Sequence, residues 1–94
     1  MNCITFTWED RKNKSNQMKH GVRFEEAQTV FYDPHAIQYF DPDHSDEEER
    51  FILLGLSVRL NVLIVCRCYR ENDLFIRIIS ARKADKTERQ NYRR

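Results

Sequence analysis

Residues 61–83 read NVLIVCRCYRENDLFIRIISARK, and this stretch decides the fold. Two runs rich in Val, Ile and Phe flank a polar tripeptide at positions 71–73. This pattern is typical of two antiparallel strands joined by a tight turn. We therefore predict strands over residues 61–70 and 74–82.

The turn of this hairpin sets which side chains share a face of the sheet. A two-residue turn at positions 72–73 places Cys68 opposite Arg77, and directly paired residues lie on the same face. Arg70 lies two residues from Cys68 and therefore projects from that face too. Glu71 then stands at the tip of the hairpin, beside this group.

Three further segments extend the sheet outward from the hairpin. Residues 50–57 (RFILLGLS) form a strand that a short connection joins to the hairpin, which implies an antiparallel meander. Residues 4–6 and 35–40 are shorter strand candidates. The strand at 74–82 carries isoleucines on both faces, so we expect it to be central.

A helix is expected before the meander. Thr7 and Asp10 have the spacing of a capping box, so we predict that the helix begins near Trp8. It can run to His20, with Gly21 as the residue that ends it.

Two shorter helices complete the predicted architecture. Apolar residues recur at helical spacing over residues 24–31, and Asp33 with the following proline closes that helix. Asp85 and Glu88 form a second capping box that opens a helix through Tyr92. We predict an α+β fold in which N-terminal helices and a short C-terminal helix pack on a small, mainly antiparallel sheet.

The composition fits one folded domain over residues 1–94. Hydrophobic residues make up 40% of the chain, with only two Gly and two Pro, which argues against disorder. The formal net charge is +1, but the charge is segregated. Residues 77–94 carry +5 and residues 9–23 carry +3, whereas residues 41–49 carry −6. Such a chain can present a cationic surface to a polyanion.

Several classes of protein are disfavoured. Three cysteines without a disulfide framework indicate a reducing compartment, and no secretory or membrane-spanning segment is visible, so we expect a cytoplasmic protein. The acidic stretch at 41–49, with His44, lacks the ligand spacing of calcium or zinc sites. We expect no metal and no cofactor.

The basic residues near the C-terminus form a candidate phosphate-binding surface. Arg77 sits among isoleucines, where an unpaired charge is costly unless it faces a groove or a partner. Arg82 and Lys83 lead into the capped helix, whose backbone N–H groups favour phosphate. Lys86, Arg89 and Tyr92 lie on that helix and are candidate RNA contacts.

RNA can be cut without a metal by such residues. A base takes the proton of the ribose 2′-OH, cations hold the charge that develops on the phosphate, and an acid protonates the leaving 5′-oxygen. Arginine suits the clamp because it stays charged and binds phosphate bidentately. Glu71, Tyr69 or Tyr92 are candidates for the proton transfer, and the residues alone do not choose among them.

The chain resembles the BrnT family of toxins over roughly residues 6–92. The matching residues are Trp8, Lys19-His20-Gly21-Val22, Phe24-Glu25-Glu26-Ala27, Val30-Phe31, Asp33-Pro34, His44-Ser45, Glu48-Glu49-Arg50, Leu54-Gly55, Arg77-Ile78-Ile79-Ser80-Ala81-Arg82-Lys83-Ala84, Glu88-Arg89 and Tyr92. The departures are Cys66 and Cys68 at strand positions and Asp85, where the family often has Thr.

The resemblance implies a RelE-like fold, a growth-arresting ribonuclease and neutralisation by a cognate antitoxin. In that family the antitoxin is dimeric and binds DNA, so operator DNA is reached only through it. The implied functional positions are Arg70, Glu71, Arg77, Arg82 and Lys83, with Asp73 as an alternative to Glu71. A binding module for RNA or antitoxin that lacks catalysis is the other reading of the chain.

Overall fold

The computed structural model describes residues 4–42, 49–70 and 74–93. Within them, five strands form one sheet in the order β1-β5-β4-β3-β2. The strands are β1 (Thr5–Thr7), β2 (Ile37–Asp41), β3 (Arg50–Leu56), β4 (Val62–Arg70) and β5 (Phe75–Lys83). Only β1 runs parallel to its neighbour, so the predicted α+β fold with a mainly antiparallel sheet is confirmed.

Helices precede and follow the sheet in the sequence. They are α1 (Asp10–His20), α2 (Phe24–Ala27), a 3₁₀ helix (Gln28–Tyr32) and α3 (Lys86–Tyr92). The capping box of α3 is present as predicted, with Asp85 and Glu88 each accepting a backbone N–H of the other. Gly21 ends α1 in the left-handed conformation, at φ 71°. None of the described helices is long and apolar enough to cross a bilayer.

The predicted start of α1 is wrong by two residues. Glu9, not Thr7, is the N-cap residue, and its side chain makes no capping hydrogen bond. Thr7 is instead the last residue of β1, where it pairs with Arg77 of β5. Pairing with β5 keeps the backbone of Thr7 extended. This tertiary contact overrides the local preference of Thr7 for an N-cap position.

The hydrophobic core lies between one face of the sheet and the first three helical segments. Its buried members come from both layers. They are Val22, Phe24, Ala27, Val30, Leu53, Leu63, Val65, Ile78 and Ala81. The 3₁₀ helix approaches β3 so closely that a Cβ on Gly55 would lie 2.7 Å from Cγ1 of Val30. Glycine is required there because the two layers leave no room for a side chain.

A β-bulge interrupts the pairing of β4 with β5. Arg67 pairs with Ile78 and Cys66 pairs with Ser80, which leaves Ile79 unpaired. Ile78 points into the core, whereas Ile79 lines a crevice beside α1. Among the described residues, strand β5 lies between two strands only over residues 75–77, where β1 pairs with it, so the predicted central position holds for that part of the strand alone. The isoleucines on both faces further along it reflect the extra residue of the bulge.

Asn16 of α1 completes the free edge of β5 beyond the end of β1. Its Nδ2 donates to the carbonyl oxygens of Val22 and Ala81, each at 2.8 Å, and its Oδ1 accepts from the N–H of Ala81 at 3.0 Å. The side chain thus satisfies both backbone groups of Ala81 as a neighbouring strand would. Asn16 is buried, so these groups would otherwise be left without partners.

We expect Asn16→Ala to lower the free energy of unfolding by about 2–4 kcal/mol, because it leaves buried backbone groups unpaired. Urea denaturation followed by circular dichroism measures the change. The exposed neighbour Ser15→Ala is the control and should change stability by less than about 0.5 kcal/mol. Equal stability of the two variants would show that Asn16 does not secure the edge.

Candidate functional site

Two arginines, one from each neighbouring strand, flank Cys68 of β4 on the sheet face opposite the core. Arg50 of β3 pairs with Cys68 of β4, and Cys68 pairs with Arg77 of β5. Strands lie about 4.8 Å apart, so the Cα atoms of Arg50 and Arg77 are roughly 10 Å apart. Arg70 projects from the same face two residues further along β4 and is exposed. We call Arg50, Arg70 and Arg77 the arginine row.

The predicted register of the hairpin is confirmed by this arrangement. Cys68 lies opposite Arg77 as the sequence predicts, although the turn itself, at residues 71–73, lies outside the described part of the chain. Glu71 and its alternative Asp73 lie there too. Cys68 is fully buried between the two arginines. Burial raises the pKa of the neighbouring Cys66 thiol, which therefore stays neutral.

Arg77 is held by a carboxylate from the start of α1. Its Nη2 lies 3.0 Å from Oε2 of Glu9, and the Arg77 side chain is 29% exposed. Lys12 and, to a lesser degree, Arg77 lower the pKa of Glu9, so this carboxylate is ionised at neutral pH. The contact holds the guanidinium of Arg77 beside the start of α1.

Arg82 lies further from this group and binds α3. It pairs with Ile64, four residues from Cys68 along β4, so it stands roughly 13 Å along the sheet from Arg77. Both of its terminal nitrogens bind Glu88, at 2.8 and 2.9 Å. Glu88 also accepts the N–H of Asp85 at 2.8 Å. Arg82 therefore anchors the start of α3 to the sheet.

The ion pair with Arg82 lowers the pKa of Glu88 to about 2 and raises the pKa of Arg82. A cavity of about 260 Å³ opens beside this pair, between α3 and strands β2 to β4. Arg82 and Glu88 both line it. The predicted phosphate contact of Arg82 stays a prediction, and in this conformation its guanidinium is already bound to a carboxylate.

Tyr92 anchors the other end of α3. Its hydroxyl donates to Oδ2 of Asp33 at 2.5 Å, and the same oxygen accepts the N–H of Leu56 at 2.8 Å. Burial, together with the hydrogen bond to Asp33, raises the pKa of Tyr92 to about 12. Its hydroxyl is therefore neutral at physiological pH and already engaged.

The remaining predicted contacts are dispersed. Lys83 pairs with the core residue Leu63 and so projects from the face opposite the arginine row. There it lines a cavity of about 390 Å³ together with Arg23 and Arg59. Lys86 and Arg89 are exposed on α3, and Arg89 donates to the carbonyl of Ala84 at 2.8 Å. Of the eight predicted site residues, only Arg70 and Arg77 are brought together in the described structure.

Comparison with known proteins gives the family. A family model described as "Ribonuclease toxin, BrnT, of type II toxin-antitoxin system" matches residues 8–88. The chain belongs to the BrnT family of ribonuclease toxins. The structure is also similar to the crystal structure of the Brucella abortus ribonuclease toxin BrnT, with a TM-score of 0.65 and 19% identity over 89% of this chain and all of that one. No curated protein sequence matches the chain.

Sequence reasoning missed two residues that the structure adds to this site. Arg50 enters the row because β3 pairs with β4 in a register that the hairpin turn does not set. Aligning alternate residues of the two strands, with Arg50 and Cys68 on one face, could have found it. Glu9 lies near the predicted helix start, and no local signal in the sequence links it to Arg77.

The low pKa of Glu88 makes part of the stability depend on pH. Its folded pKa of about 2 lies below the ordinary 4.5, so its contribution is full above pH 4.5 and is lost as the pH falls towards 2. We expect Glu88→Gln to cost about 1–2 kcal/mol at pH 6, and the difference from wild type to shrink by pH 2.5.

Urea denaturation at a series of pH values measures this difference, with the exposed Glu49→Gln as the control. A gap between wild type and Glu88→Gln that stays constant from pH 6 to pH 2.5 would contradict the assignment of the stability to the Glu88 carboxylate.

Proposed function

We propose that this protein cuts RNA internally without a metal ion, by attack of a ribose 2′-OH on the adjacent phosphate. The arginine row carries this proposal. It places three arginines on one sheet face at the end that α3 does not cover, whereas the other face is packed against α1, α2 and the 3₁₀ helix. Membership of a ribonuclease toxin family supports it.

In this proposal the row binds the scissile phosphate and stabilises the transition state. Arginine donates two parallel hydrogen bonds to phosphate oxygens and remains charged at any physiological pH. Arg50 and Arg77 grip the phosphate from two sides of Cys68, and Arg70 contacts the neighbouring nucleotide. Binding of the phosphate competes with the Arg77–Glu9 contact, which frees the Glu9 carboxylate beside the reacting group.

The proton of the 2′-OH passes to a carboxylate. The oxygen of the 2′-OH then bonds to phosphorus, the bond to the 5′-oxygen breaks, and that oxygen leaves with a proton from an acid. The products are a 2′,3′-cyclic phosphate and a 5′-hydroxyl. The two candidate bases are Glu9, which contacts Arg77, and Glu71, which follows Arg70 in the chain. Tyr92 is a poor candidate because its hydroxyl is bound to Asp33 and its pKa is about 12.

A cognate antitoxin partner follows from the type II family. We propose that this antitoxin is a dimer that binds DNA, and that the toxin reaches operator DNA only as part of the complex. Its acidic and apolar side chains bind the toxin and neutralise it.

The first experiment incubates the purified protein with a defined RNA in EDTA. We expect the wild type to produce 2′,3′-cyclic phosphate ends, and Arg77→Gln and Arg50→Gln to reduce the rate by about 100-fold or more. Arg59→Gln is the matched control, because Arg59 is an exposed arginine in the turn between β3 and β4. RNA binding without cleavage by the wild type, with ribosomes absent or present, would favour the non-catalytic binding module.

A second experiment separates two roles for Arg82. If Arg82 acts by anchoring α3, Arg82→Ala and Glu88→Gln should slow cleavage to a similar extent, because each breaks the same ion pair. If Arg82 binds phosphate directly, Arg82→Ala should slow cleavage by about 100-fold while Glu88→Gln keeps most of the rate. Thermal denaturation of both variants shows whether each remains folded under the assay conditions.

A further inference from the structure

Arg67 directly precedes Cys68 on β4. It therefore projects to the sheet face opposite the arginine row. It pairs with Phe51 of β3 and Ile78 of β5, both on the core side of the sheet. Only 3% of the residue is exposed. Its guanidinium carbon lies 5.0–5.4 Å from the ring centres of Phe31, Phe51 and Tyr69. Three aromatic rings therefore surround a buried positive charge.

The hydrogen-bonding capacity of Arg67 is largely unused. Nη2 donates to Oε1 of Gln38, but Nε and Nη1 have no acceptor in the described part of the chain. No described carboxylate forms an ion pair with Arg67. A buried guanidinium with unpaired N–H groups is costly, and a carboxylate is the group that would compensate it best.

Exposed aromatic side chains continue this cluster to the surface. Phe40 of β2 packs edge to face on Phe51 at 5.6 Å, and Phe51 packs in the same way on Tyr69 at 5.6 Å. Phe40 is 51% exposed and Tyr69 is 38% exposed. We call Arg67, Phe31, Phe40, Phe51 and Tyr69 the Arg67 patch. Exposed aromatic residues next to a buried arginine are typical of protein interfaces.

We infer that the Arg67 patch is the docking surface for a segment of the antitoxin that carries a carboxylate beside an apolar side chain. This inference rests on the proposed toxin–antitoxin function. The Tyr69 ring, which stacks on the buried guanidinium and is 38% exposed, turns aside on binding so that the carboxylate reaches Arg67. The apolar side chain packs on Phe40. RNA fits the patch less well, because its one cation is buried and phosphates need exposed cations.

The patch and the arginine row occupy opposite faces of the sheet. Phe40 pairs with Phe51, which pairs with Arg67, so these side chains share the face of the patch. Tyr39, the preceding residue, pairs with Ile52 and lies on the face of the arginine row. Tyr39 is 44% exposed and Phe40 is 51% exposed. These two neighbouring aromatic residues therefore differ mainly in the sheet face that they occupy.

This pair gives the test, in which calorimetry measures the affinity of each full-length toxin variant for the purified antitoxin. We expect Phe40→Ala to weaken binding by about tenfold or more and Tyr39→Ala to change it by less than about twofold. Arg67→Met, which fills the aromatic box without a charge, should also weaken binding by about tenfold. RNA cleavage by Phe40→Ala should match the wild type.

Three results would overturn the inference. Loss of affinity in Tyr39→Ala but not in Phe40→Ala would place the antitoxin on the other face. An Arg67→Met variant that binds the antitoxin with wild-type affinity would exclude the pairing of Arg67 with a carboxylate. If Arg67→Met does not fold, the affinity of Phe40→Ala still tests the docking surface. Impaired cleavage by Phe40→Ala with unchanged antitoxin affinity would make the patch an RNA surface. Failure of the proposed nuclease function is seen separately, as a wild-type protein that binds antitoxin but does not cut RNA.

Discussion

The pairing of β4 with β5, with its single bulge, is the constraint on which the rest of the structure depends. A one-residue slip in a sheet moves every side chain to the other face. Before the bulge, Arg77 and Ile78 lie on opposite faces, and the unpaired Ile79 shifts the alternation by one. Ala81 therefore returns to the core, where Asn16 binds both of its backbone groups, and Arg82 points to α3.

The arginines on β4 and β5 are held in three different ways. Arg77 binds Glu9, a half-exposed carboxylate at the start of α1. Arg82 binds Glu88 through two hydrogen bonds, and this pair also closes the capping box of α3. Arg67 is enclosed by aromatic rings with no described carboxylate nearby. Burial and partner choice thus distinguish an arginine in an exposed ion pair from one that anchors a helix and one that is enclosed by rings.

Prediction from the sequence succeeded where the signal was local. The hairpin register, the capping box of α3 and Gly21 at the end of α1 each depend on residues that are close in the chain. The prediction at Thr7 failed because β5, about seventy residues away, takes that residue into the sheet. Arg50 and Glu9 were missed for the same reason, since their neighbours in the site come from strands and helices distant in sequence.

The sequence by itself determined the elements, the α+β class and the family, because alternation, capping residues and a long ordered set of motif residues are all readable along the chain. Only the tertiary structure decided which basic residues lie on the same face and close together. Charge composition treats Arg70, Arg77, Arg82 and Lys83 alike. Strand pairing, the bulge and the packing of α3 keep Arg70 and Arg77 on one face but place Arg82 beside α3 and Lys83 on the opposite face. Faces and partners are set by contacts between distant segments, and no single segment carries that information.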